Sequence, residues 1–208
     1  SSIMGAPGLR LDLPSVGTRG AQGPTAGSGL PMPARTVHAL LSARARVLAE
    51  TSPDRWRAWL QHGQRAGATQ ADLYAAALSA HRLRQHDQAL ALAQRLANPA
   101  SADTRWIADA LLMELWLAPG APRPPLAERI VALRDAALAS GQRSGLLLGA
   151  QVAQATGAPA PATQRLQDWV LTHPRDAQAW QVLAQLHQAQ GQRLRALRAE
   201  GESRAAQL

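Results

Sequence analysis

Residues 173–200, HPRDAQAWQVLAQLHQAQGQRLRALRAE, decide the fold. Trp180, Leu183, Ala184 and His187 stand at i, i+3, i+4 and i+7, the spacing that places side chains on one helix face. Pro174 and Asp176 precede that face, and an acidic group near a helix start meets the positive end of the dipole. Gly191 follows, where a residue without Cβ can turn the chain left-handed and end the helix. A second helical run then carries Ala196, small enough to let two antiparallel helices approach closely. The stretch is therefore a helical hairpin, and a single hairpin cannot bury its apolar face without neighbours.

Neighbours are visible in the same frame. Thirty-four residues before Trp180 comes Leu146, followed by Gly149, Ala150, Ala153, Gly157, Ala162, Leu166 and Pro174. An earlier hairpin reads Leu73, Ala76, Ala77, Ala80, Ala89, Ala93, Leu96 and Pro99, and Trp106 opens another, whose turn is stretched by APGAPRPP at 118–125. No helix crosses that run of prolines. The pattern W-x2-L-G-x2-Y with a later Ala and a closing Pro resembles the tetratricopeptide repeat. It predicts helices near 70–84, 86–97, 103–117, 125–140, 144–155, 161–172, 176–189 and 192–206, making about four hairpins over 68–208. The expected fold is all-α, with tetratricopeptide-like antiparallel hairpins stacked in a right-handed solenoid.

Composition agrees with that class. The 208 residues include no Phe, one Tyr and six Trp, and the apolar side chains are mainly Leu and Ala. That suits close helix packing and offers little to a β-sandwich. With no Cys, neither a disulfide framework nor a thiolate metal site can form. No apolar run reaches the length of a membrane helix, and the first thirty residues lack a charged-then-apolar leader. The net charge is +8, carried entirely by Arg on the basic side, but it is spread along the chain without interleaved stacking aromatics. Nucleic acid is not the expected partner.

Residues 1–33 are too rich in Gly, Pro and Ser to hold a periodic pattern and read as a linker or extended segment. Residues 34–67 read as a helical pair. Val37, Leu40, Leu41, Ala45 and Leu48 share the first face; Pro53 and Asp54 open the second helix, with Trp56, Trp59 and Leu60 packing against the next hairpin. Asp72, Asp103 and Asp176 fall in first turns. No polar capping element follows the last predicted helix, so the natural chain is expected to extend past Leu208.

No HExxH, phosphate-binding Gly-rich loop or nucleophile elbow occurs. His81 and His86, five apart, are expected on different helix faces, without a shared metal site; His187 holds a packing position and His173 a turn. No catalytic residue and no metal ligand is assigned. The pattern that does read as a binding surface is made of amides. Gln178, Gln181, Gln185 and Gln188 form one stripe on the penultimate helix, Gln151 and Gln154 continue it on the preceding repeat, and Tyr74, His81 and Arg82 hold corresponding positions earlier. Each amide both donates and accepts, which suits the main chain of an extended or unfolded segment without demanding a sequence.

The closing Pro-Arg-Asp turn, Trp180, Leu183, Ala184, Gly191 and RALRAEGESRAAQL resemble the C-terminal repeats of periplasmic zinc metalloproteases of the BepA type, the β-barrel assembly-enhancing proteases. Residues 38–45, HALLSARA, are similar to the HPLTSERI element that links protease domain and repeats in that family, with His38 and Arg44 at matching positions and Ala39 and Ala43 in place of Pro and Glu. The resemblance covers about residues 30–208. It implies a zinc domain preceding Ser1, with zinc held there and none in this chain, and His38 as a linker histidine facing that zinc. It further implies a periplasmic, non-catalytic repeat region that presents proteins or unfolded segments for outer-membrane quality control. The alternatives are a stand-alone adaptor scaffolding an envelope complex and, on charge alone, a helical repeat that binds RNA.

Overall fold

The computed structural model describes residues 32–98, 101–123 and 126–208. The expected Gly/Pro-rich linker, apart from its last two residues, lies outside them. Among the described residues there are ten helices and no strand: α1 Met32–Ala49, α2 Pro53–Gly63, α3 Gln70–Arg82, α4 His86–Ala97, α5 Ala102–Leu117, α6 Ala127–Ala139, α7 Arg143–Ala155, α8 Ala160–Thr172, α9 Ala177–Ala189 and α10 Arg193–Ala205. The chain is all-α. Predicted helix positions agree to within a few residues.

Local chemistry explains where the helices start and stop. Thr69 and Asp72 cap α3 reciprocally: the Asp72 amide donates to Thr69 Oγ1 at 3.2 Å and the Thr69 amide to Asp72 Oδ2 at 3.0 Å. Asp176 sits one residue earlier than expected, as the N-cap of α9, and accepts from the Ala179 amide at 3.1 Å. Three helices end in the same turn. In α9 the Gln192 amide donates to His187 O at 2.9 Å across Gly191, whose φ is 72°. In α7 Ala158 donates to Ala153 O at 2.9 Å across Gly157, also at φ 72°, and in α3 Gln85 donates to Ala80 O at 2.9 Å across Arg84, at φ 63°. Each is a Schellman turn, in which the amides of the left-handed residue and of the one after it satisfy two otherwise orphaned carbonyls. Helix α5 has no such ending; it leaves into Ala118 with an extended ψ of 140°.

Packing follows chain order. Helix α3 packs on α2 and α4, α4 on α5, α6 on α7, α8 on both α7 and α9, and α9 on α10; α5 also meets α7, and α7 meets α9. Helix α1 breaks the sequence, lying on α3 and reaching α5. Two cores result. One gathers Leu40, Val47, Leu78, Leu96, Ile107 and Leu112 with many others from α1 to α5, plus Ile130, Leu148 and Val152; the second gathers Leu147, Leu166, Val170, Leu183 and Leu186. Helix α7 contributes to both.

Helix α6 approaches α7 more closely than any side chain on the facing positions would allow. A Cβ on Gly145 would stand 2.6 Å from Ser140 Oγ and 2.9 Å from Ala137 O, and one on Gly149 would stand 3.0 Å from the Leu138 side chain. Gly145 and Gly149 are four apart and so share the face on which α6 rests. Gly145→Ala should therefore destabilise the chain by about 1 kcal/mol or more, because the overlap exceeds the gain in helix propensity. Gly201, in α10 with open space around it, is the matched control: Gly201→Ala should stabilise by about 0.5–1 kcal/mol. Thermal melts of the two variants should move in opposite directions; a shift of the same sign would contradict the close α6–α7 contact.

Candidate functional site

The amide stripe is carried mainly by α9. Gln181, Gln185 and Gln188 are exposed, between positions occupied by the buried Val182, Leu183, Ala184, Leu186 and His187. Buried and exposed residues alternate with the helical period, so one side of α9 holds the core and the other faces water. On α7, packed beside α9, Gln154 is exposed and Gln151 half-buried. Gln178 belongs to the same helix but is half-buried, its Oε1 accepting from Arg143 Nη2 at 3.2 Å.

The contact to Gln178 belongs to a polar node that fixes the start of α9. Arg143, at the start of α7, grips Asp176 with two parallel bonds, Nε to Oδ2 at 2.7 Å and Nη2 to Oδ1 at 2.8 Å. Trp169 Nε1 donates to Asp176 Oδ2 at 3.0 Å, and its ring stacks on His173 at 3.8 Å. The Asp176 side chain is 8% exposed. Burial works against its ionisation, but the bonds from Arg143, Trp169 and the Ala179 amide outweigh that cost and hold the carboxyl below its ordinary range.

The earlier part of the expected surface is arranged differently. Tyr74 does not line an open groove: it is 1% exposed, covered by α1, and its hydroxyl accepts from Arg44 Nη1 at 3.2 Å. Arg44 in turn makes a bidentate pair with Glu114 of α5, at 2.8 and 3.0 Å. Three helices meet at this triad, and burial raises the Tyr74 pKa, keeping the phenol neutral. Arg82 is exposed, yet its Nη2 donates to Leu48 O at 3.3 Å and its guanidinium lies over Trp56. His81 is half-buried, and its Nδ1 has no hydrogen-bond partner among the described residues. The expectation that His81 and His86 point apart is also corrected, because the Arg84 turn separates their helices and brings the rings to 5.8 Å. Among the described residues no group of three His, Asp or Glu side chains could hold a metal ion. His38 is exposed and contacts Ser42 Oγ at 3.3 Å.

A concave feature elsewhere had no counterpart among the sequence expectations. Helices α5 and α6 are only lightly in contact, while Gly145 and Gly149 let α6 close onto α7. A cleft of about 390 Å³ opens between α5 and the α6–α7 pair, walled by Trp106, Ala110, Met113, Leu133, Ala137 and Leu148, with Asp109 on its lining. Asp109 is half-buried and makes no hydrogen bond or ion pair among the described residues. Burial raises its pKa, against the opposing charges of Arg129 and Arg105. The proline-rich stretch was the visible signal; that α6 packs on α7 more than on α5 was not.

Compared with protein-family models, with curated proteins and with solved structures, the chain matches none. Among the described residues no helix is long and apolar enough to cross a membrane.

The Asp176 node sets a pH dependence. A carboxyl whose pKa is lowered by folding contributes stability above its unfolded pKa and loses it as pH falls through the folded value. At neutral pH Asp176→Asn should melt well below the native chain, since it takes the paired carboxylate away from the half-buried Arg143. As pH falls below about 4 the two melting temperatures should converge. A gap that stays constant from pH 7 to pH 2 would mean the Arg143 pair does not support folding.

Proposed function

We propose that this chain is a non-catalytic, protein-binding helical repeat: tetratricopeptide-like hairpins stacked in a right-handed solenoid whose amide face on α9 and α7 takes hold of extended or unfolded polypeptide. The observation that carries this reading is the exposure of Gln181, Gln185 and Gln188 along one helix whose opposite side is buried in the core. Repeated left-handed turns after α3, α7 and α9, and the contacts of α5 with α7 and of α7 with α9, support the stacking. An amide row offers donors and acceptors without net charge, so it bonds peptide groups of any sequence and gives broad, modest affinity.

The setting we propose is the repeat region of a periplasmic zinc metalloprotease active in outer-membrane protein quality control. Two sequence resemblances support it, the closing repeat and the HALLSARA element. Zinc would belong to a separate domain. The same face would equally serve a stand-alone envelope adaptor, and a sequence upstream of Ser1 containing HExxH would decide for the protease.

Replacing both Gln181 and Gln185 with Ala tests the face directly. Each net hydrogen bond contributes roughly 0.5–1.5 kcal/mol, so the double variant should bind an unfolded β-barrel protein, diluted from urea, on the order of tenfold more weakly. Its melting temperature should stay within a degree or two of the native value, because both side chains are exposed. Unchanged capture by a folded double variant would place the binding surface elsewhere; unfolding would show that the amides are structural.

A further inference from the structure

We propose that the cleft between α5 and the α6–α7 pair binds a small organic cation with an apolar body, its charged head paired with Asp109. The site goes beyond the amide face and shares none of its residues. At about 390 Å³ the cleft has the size of small-molecule sites, which begin near 300 Å³, and its walls are almost wholly apolar. Leu133, Met113 and Leu148 supply contact area for a hydrocarbon or aromatic body. Trp106, 39% exposed, is among the lining residues, and an indole is the side chain that attracts organic cations most strongly.

The charge of the ligand follows from the acids. Among the described residues two carboxylates line the cleft, Asp109 and Glu114, and no basic side chain does. Glu114 is committed to Arg44 by its bidentate pair. Asp109 has no such bond, and Arg105 and Arg129 act on it only through space. A ligand with no donor would cover this half-buried carboxylate without giving it a partner, which costs desolvation with no return, and a neutral hydroxyl would give it only a weaker bond. An anion would add repulsion. An ammonium supplies the missing donor in a charge-assisted hydrogen bond, stronger than a neutral one.

Two isosteric probes separate the charge from the apolar body: 4-phenylbutylamine and 4-phenylbutanol, titrated calorimetrically into the full chain. The amine should bind about five- to tenfold more tightly than the alcohol, as one partly exposed charge-assisted bond gives. Asp109→Asn, close to isosteric, should bring the two within about twofold. Ala110→Trp should fill the cleft and remove binding of both; if it fails to fold, Ala137→Trp closes the same space from α6. The Gln181→Ala, Gln185→Ala double variant should bind the amine as the native chain does, so failure at the amide face and failure here are distinguishable. Equal affinity of the two probes, an amine preference that survives Asp109→Asn, binding that survives a folded cleft-filling variant, or no binding at millimolar probe would each overturn the proposal.

Discussion

Helix α7 is the element on which the rest of the fold depends. Its run Leu146, Leu147, Leu148 places apolar side chains on three sides of one helix, and all three are buried. A helix apolar on that many sides is stable only between neighbours, and Gln154 marks the edge of α7 that is left to water. Leu148 and Val152 enter one core while Leu147, Ala150 and Ala153 enter the other, so α7 is the shared wall through which the two halves support each other. Its two glycines supply the fourth side, where α6 comes so close that only hydrogen atoms fit. A chain whose core is mainly Leu and Ala has little volume per residue with which to fill gaps, and close backbone approach is its alternative to large side chains.

The N-terminal half is fixed by a polar contact of a different kind. Arg44 is almost enclosed, and its guanidinium spans Tyr74 on α3 and Glu114 on α5. An Arg fork satisfies both carboxylate oxygens at once, so burial of the pair is tolerated. Such a pair is poor evidence of large net stability, because two charges must be desolvated to form it. What it does fix is position: α1 is held across α3 and α5 rather than beside α2, and the surface that Tyr74 would otherwise present is closed.

This leaves two accessible features of opposite character. The α9 face is polar and uncharged, a row of exposed amides that both donate and accept. The cleft beside α5 is mainly apolar and carries Asp109, which makes no hydrogen bond or ion pair among the described residues. Their difference comes from packing. The α9 amides face water because the opposite side of that helix is committed to the core, whereas the cleft exists because α6 leaves its own hairpin partner for the next helix.

The sequence alone determined the helical class, the number and approximate limits of the helices from Gln70 onward, and the exposed side of α9, because all of these rest on spacing within one helix. Period 3.6 placed Gln181, Gln185 and Gln188 together and Val182, Leu183 and Leu186 opposite them, and Gly157 and Gly191 marked turns that only a left-handed residue makes well. Contacts between helices distant in sequence were decided only by the tertiary structure. Arg44 and Glu114 are 70 residues apart, and nothing in local spacing brings α1 over Tyr74. Arg84 stands in the left-handed conformation where no glycine signalled it, which is why His81 and His86 meet. The stretch at 118–125 was legible as a break, but the direction α6 takes after it depends on Gly145 and Gly149 further along the chain, a choice of packing partner that local periodicity does not encode.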